Sequence, residues 1–186
     1  MNPILVTGGT GHLGRDLVAQ LLSQHRPVRV FARQPGKEAD VEWALGDLAT
    51  GAGVRQALQG IESVIHAATL SPIARRGAIR PTDLFSSPTQ VDIEGTRRLL
   101  QERERAGVAH FLFVSIVGLD GASLPYAKVK LASEKLVRRS ALPWSVVRAT
   151  PFYYLSECSR AFDGCRFGPC RTRHSTPSIR RTFRLI

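Results

Sequence analysis

The residues that could do chemistry in this 186-residue chain are a phenol, an amine and a hydroxyl. Tyr126 and Lys130 stand four apart in Tyr126-Ala127-Lys128-Val129-Lys130. A helix opening at Tyr126 therefore puts both on one face, one turn apart. An ammonium near a phenol favours the phenolate and lowers the tyrosine pKa. Such a tyrosine passes a proton to or from a carbonyl oxygen or an alcohol. Ser115, eleven residues earlier, ends an apolar run and would hold that same oxygen. Taken alone, Tyr-x-x-x-Lys is a common accident, and a packed helix tyrosine is the plainer reading.

A second constellation gives the trio weight. The chain opens with Ile4-Leu5-Val6, then Thr7-Gly8-Gly9-Thr10-Gly11-His12-Leu13-Gly14, then Leu17, Val18, Leu21 and Leu22 at helical spacing. A strand, a glycine turn and an amphipathic helix in that order make a dinucleotide-binding βα unit. Gly8 would allow the tight turn, Gly11 the approach of a pyrophosphate, and Gly14 close packing of helix on strand. The helix start offers unpaired N–H groups and a positive dipole end to phosphates.

The second strand, 28–32, ends at Arg33, where the fold faces the adenosine ribose. An acid there would suit NAD, but no acid occurs before Glu38. A guanidinium suits a 2′-phosphate, and Arg15 would lie on the same side, so NADP is preferred over NAD. The alternative is that Arg33 is a solvated residue at a strand end. A third strand runs into Gly46-Asp47-Leu48. Asp47 would accept from an adenine amino group while Leu48 packs on the ring, or Asp47 simply caps the following turn. The fourth strand, 63–68, places the small residues Ala67 and Ala68 beside the cofactor, and His66 reads as a hydrogen-bonded core histidine.

These elements need a scaffold. Helices are expected at 54–58, 91–106 and 126–139, and further strands at 111–115 and 144–148. Strands alternating with helices predict an α/β fold, a doubly wound parallel sheet between helices on both faces, three layers in all. The connection 69–90 carries three prolines and three arginines with little periodicity, and is expected to border a substrate site.

Composition bounds the rest. The net charge of +11 is uneven: residues 156–186, a sixth of the chain, contribute +5 of it. All three cysteines, Cys158, Cys165 and Cys170, lie in that stretch, at spacings that suggest neither a zinc site nor a disulfide framework. No apolar stretch approaches a membrane span and no leader pattern opens the chain, so a cytoplasmic protein without a membrane partner is expected. The basic stretch lacks aromatic interleaving, which argues against nucleic acid as a partner. The expected domains are 1–155 and an irregular basic tail at 156–186.

In combination, the glycine pattern at 7–14, Gly46-Asp47-Leu48, Ser115, and Tyr126 with Lys130 followed by Leu131-Ala132-Ser133-Glu134 resemble the short-chain dehydrogenase/reductase superfamily. Ser115-Ile116-Val117-Gly118 and Arg148-Ala149-Thr150 look most like its atypical, NmrA-like NAD(P)-binding branch. The resemblance implies a hydride transfer between NADP(H) and a small carbonyl or alcohol substrate. It assigns Gly8, Gly11 and Gly14 to the pyrophosphate, Arg33 to the 2′-phosphate and Asp47 to the adenine. Ser115, Tyr126 and Lys130 become the catalytic trio, with Lys130 also bonding the nicotinamide ribose. The resemblance leaves two departures. Asp92 stands where many relatives carry a catalytic Asn, and the chain past Glu157 does not continue the family pattern, as a frameshift would produce. Non-catalytic dinucleotide-binding members make a redox-sensing regulator the alternative, and a nonfunctional remnant a third reading.

Overall fold

The computed structural model describes residues 1–69, 90–121 and 125–149. The 156–186 tail and nearly all of the 69–90 connection lie outside them.

Apolar runs flanked by glycine and proline become six strands: β1 (Ile4–Thr7), β2 (Val28–Ala32), β3 (Glu42–Leu45), β4 (Ser63–His66), β5 (His110–Ile116) and β6 (Trp144–Ala149). All pair in parallel, in the order β3-β2-β1-β4-β5-β6. The order reverses direction at β1, and there the carboxyl ends of β1 and β4 open a crevice. The helices are α1 (His12–Ser23), α2 (Val54–Ala57), α3 (Gly95–Ala106) and α4 (Pro125–Arg138).

Side chains alternate across each strand, so the sheet has two faces. Ile4, Val6, Val28 and Val30 face α1 and pack around Val18. Leu5, Phe31, Val64, Phe111 and Phe113 face the opposite way, onto Val54, Leu58, Leu99 and Val137 from the other three helices. The sheet between two helical layers is the expected three-layer α/β architecture.

One helix departs from expectation. The periodicity over 91–106 predicts a single α-helix, but residues Gln90–Glu94 form a π turn that feeds α3. Two side chains meet at one carbonyl of this turn. The Asp92 C=O accepts from the Thr96 hydroxyl at 2.5 Å and from the Ser133 hydroxyl of α4 at 2.8 Å. These bonds hold the turn against α4.

Two arginines fix β6, one of the two edge strands of the sheet. Arg103, fully buried in α3, donates to the Pro143 and Leu142 carbonyls and to Ser140 Oγ, and lies over the Phe111 ring. Arg148 donates through Nε and Nη2 to the two Glu134 carboxylate oxygens at 2.9 and 2.8 Å, and also binds Asp120. It thereby clamps β6 to α4 and to the turn after β5. Such bidentate pairing adds geometric specificity as well as energy.

Candidate functional site

The glycine turn is shaped by contacts that leave no room for a side chain. Gly8 adopts φ +76°, and a Cβ there would sit 2.7 Å from the Ala68 backbone. At Gly14 a Cβ would collide with the Gly8 carbonyl oxygen. Gly11 is different. It is exposed, its N–H donates to the Gly8 carbonyl at 3.0 Å, and a Cβ would meet nothing but that oxygen, at 3.3 Å. Packing therefore forbids side chains at Gly8 and Gly14, whereas at Gly11 the open space is on the solvent side, above the start of α1. No side chain caps that helix start. These exposed N–H groups and the missing Cβ fit a pyrophosphate.

The other residues of the turn divide between crevice and core. Thr10 and His12 are exposed, Leu13 is half-buried, and Gly9 is buried against Val30. Thr7 is buried, and its hydroxyl bonds His66 Nδ1 at 2.6 Å. His66 Nε2 lies 2.9 Å from Thr96 Oγ1, whose own hydrogen goes to the Asp92 carbonyl. Donor counting then fixes the proton on Nε2, with Nδ1 accepting from Thr7. Burial pushes the His66 pKa down to about 3, aided by the Lys130 charge. It is a neutral core histidine.

Around the adenosine side, Arg33 is exposed just past β2 and has no hydrogen bond or ion pair among the described residues. Asp47 Oδ1 accepts from the Ala49 N–H at 2.9 Å, which is the turn-capping role. Leu48 is part of the buried core, its Cβ 3.0 Å from where a Gly95 Cβ would be. It does not offer the exposed surface that stacking on a ring requires. Ala67 and Ala68 are half-buried above the glycine turn, where the Ala67 N–H pairs with the Thr7 carbonyl.

The proposed proton-transfer residues gather at the carboxyl ends of β4 and β5. Tyr126 lies in the first turn of α4 and Lys130 one turn further on. Lys130 is 3% exposed, with Nζ 3.3 Å from Asp92 Oδ1 and 5.0 Å from the Phe113 ring centroid. Burial pulls its pKa down, opposed by the charges of Asp92 and Glu134. Asp92 is 1% exposed, and the π turn brings its carboxylate inward beneath α4. Thr69 joins the group: its hydroxyl donates to Asp92 Oδ1 at 2.7 Å and lies 3.3 Å from the Tyr126 hydroxyl. Nothing in the sequence singles out Thr69, and only its position at the end of a strand hints at it.

Ser115 is placed otherwise than the sequence suggests. Strict alternation along β5 puts it on the face shared by Phe111 and Phe113, under α4, and it is 1% exposed. Its hydroxyl makes no hydrogen bond of good geometry among the described residues, to Tyr126 or to any other group. It lies close enough to Glu134 to favour that carboxylate. Burial pushes the Glu134 pKa up, but Arg148 and Ser115 outweigh it and hold the group below its usual range. Ser115 and Tyr126 thus make no direct hydrogen bond to each other.

No helix among the described residues is long and apolar enough to cross a membrane. Residues 8–156 match the family model described as NAD(P)H-binding. The chain is 33% identical over 156 residues to the photosystem II assembly factor Ycf39 of Trieres chinensis, covering 81% of this chain and 46% of that protein. It is 41% identical over 122 residues to sterol demethylase protein B of Methylococcus capsulatus, covering 63% and 35%. Among solved structures it resembles a short-chain dehydrogenase/reductase superfamily protein from Agrobacterium tumefaciens with bound NAD. That match has 32% identity and a TM-score of 0.65 over 78% of this chain and 48% of the other. The chain thus spans less than half the length of these relatives. With a six-stranded parallel sheet, a glycine turn at its switch point and a tyrosine and lysine one helical turn apart, the chain belongs to the NAD(P)H-binding family, within the atypical short-chain dehydrogenases/reductases.

Proposed function

We propose that this chain binds NADP(H) and supplies the proton-donating group for reduction of a small carbonyl, or oxidation of the corresponding alcohol, in a cytoplasmic setting. The observation that carries the reading is the seat of Tyr126. Its hydroxyl reaches Thr69, next in sequence to Ala68, and Ala68 lies directly against the glycine turn. The phenol is therefore within one residue of the crevice where a dinucleotide would lie.

The cofactor supplies hydride; the chain supplies everything else. The N–H groups at the start of α1, with the space above Gly11, would hold the pyrophosphate. Arg33, exposed and uncommitted, would pair with a 2′-phosphate through its forked donors. Asp47 keeps one carboxylate oxygen on the Ala49 N–H and has a second for an adenine amino group. Tyr126 holds the proton that passes to the substrate oxygen. Lys130, paired with Asp92, would make that proton easier to give up and would reach the nicotinamide ribose.

A second reading has its own support. Ser115 is buried beneath α4, and one relative is named as an assembly factor. A dinucleotide-binding regulator without turnover needs no accessible hydroxyl at that position. Calorimetric titration with NADPH and NADH, on the chain and on Arg33→Ala, tests the cofactor assignment. We expect saturable binding that favours NADPH, and loss of roughly tenfold in that preference on removing the guanidinium. Equal or tighter NADH binding would overturn it. Reductase screening with Tyr126→Phe separates the two readings: turnover falling by about 100-fold or more with NADPH binding intact supports the enzyme.

A further inference from the structure

We propose that Thr69 is a positioning residue for Tyr126, its hydroxyl seating the phenol and tying it to the buried Asp92–Lys130 pair. The inference rests on the reading of Tyr126 as the proton-bearing group.

The argument is one of donor counting. A threonine hydroxyl carries a single hydrogen. Thr69 spends it on Asp92 Oδ1, at 2.7 Å. Toward Tyr126, 3.3 Å away, the Thr69 oxygen can then act only as acceptor, so the phenol donates. The same Asp92 Oδ1 faces Lys130 Nζ at 3.3 Å. Phenol, hydroxyl, carboxylate and ammonium thus form one directed chain drawn from the end of β4, the π turn and α4.

The surroundings fix the middle of this chain. Ala68, just before Thr69, is pressed against the glycine turn. The Asp92 backbone is held from the other side by Thr96 and Ser133. Thr69 therefore has little freedom to place its hydroxyl elsewhere, and Tyr126 inherits that placement.

The chain has a consequence for the phenol proton. Lys130 alone would favour the tyrosinate, whereas an acceptor anchored on a carboxylate favours the neutral phenol. Thr69 therefore keeps Tyr126 protonated and oriented until a substrate oxygen competes for its hydrogen.

The test needs no cofactor and no substrate. Tyrosinate ultraviolet absorbance is titrated on the full chain, and the Tyr126 component is isolated by subtracting the same protein carrying Tyr126→Phe. Thr69→Val keeps the shape and removes the hydroxyl, and Thr69→Ser restores it. We expect Thr69→Val to lower the Tyr126 ionisation by about one pKa unit and Thr69→Ser to match the parent. If Thr69→Val does not unfold cooperatively, Thr69→Ala is read in its place, with the same expected shift. An unchanged or raised ionisation, or a serine variant that behaves like valine, overturns the proposal. Failure of NADPH to bind in the calorimetric titration would overturn the cofactor reading instead, and leave this result unaffected.

Discussion

The two halves of the sheet build their sites by opposite means. Around β1 to β3 the site is a shape of the backbone: a left-handed glycine, a second glycine with no room for a Cβ, and an uncapped helix start. Its charged groups, Arg15 and Arg33, stay in solvent. Around β4 to β6 the site is a set of buried polar side chains: His66, Asp92, Thr96, Lys130, Ser133 and Glu134. The first half excludes side chains and leaves main-chain donors at the helix start open. The second half satisfies buried charges with each other, and the Tyr126 hydroxyl lies at the edge of that group. The glycine turn should therefore be sensitive to volume and the tyrosine site to charge.

The largest effect is expected where a charge loses its partner. Lys130→Met leaves the buried Asp92 carboxylate without its ammonium, and should cost about 3–5 kcal/mol in denaturant unfolding. The double variant Lys130→Met with Asp92→Leu should regain most of that loss, since a buried ion pair often does no better than an apolar replacement. A double variant as unstable as the single one would show that volume, not charge, governs this half too.

The complementary break is made in the glycine turn. Gly14→Ala forces a Cβ onto the Gly8 carbonyl and should cost about 3 kcal/mol. Gly11→Ala should cost less than about 1 kcal/mol yet abolish dinucleotide binding, because its Cβ enters the ligand's space rather than the protein's. Equal destabilisation by both would erase the distinction between the two glycines.

A smaller effect comes from pH. His66 is neutral in the fold with a pKa of about 3, against 6.5 when exposed. The unfolded chain takes up a proton that the folded chain refuses, so stability falls as pH drops below about 6.5 and stops falling near 3. Between pH 7 and pH 5 this group should remove about 2 kcal/mol. Comparing denaturant midpoints at the two pH values, with His66→Gln as the reference, measures it. A slope that survives in His66→Gln would belong to other groups.

Much of the first half was legible from residues alone, and less of the second. The glycine spacing, the strand before it and the apolar stripe after it all act within a few residues of each other, so they can be read along the chain. Asp47 as a turn cap was legible for the same reason. The burial of Leu48 depends on Gly95 of a distant helix and so cannot be read along the chain. For Ser115 the alternation with Phe111 and Phe113 is local, but that α4 covers this face is not, so its burial is a tertiary result. The π turn is not encoded in the 91–106 periodicity, and its carbonyl is bonded by a hydroxyl 41 residues away.

The sequence by itself determined the order of strands and helices, the parallel three-layer plan and the glycine turn between β1 and α1. Hydrophobic period and the absence of a Cβ are local properties, and they suffice for those features. Only the tertiary structure decided that Lys130 pairs with Asp92, that Ser115 turns inward and that Thr69 meets Tyr126. Those contacts join residues 23 and 57 positions apart through Thr69. Hydrogen-bond direction and charge pairing between such residues depend on which faces the sheet brings together, and no spacing along the chain encodes that.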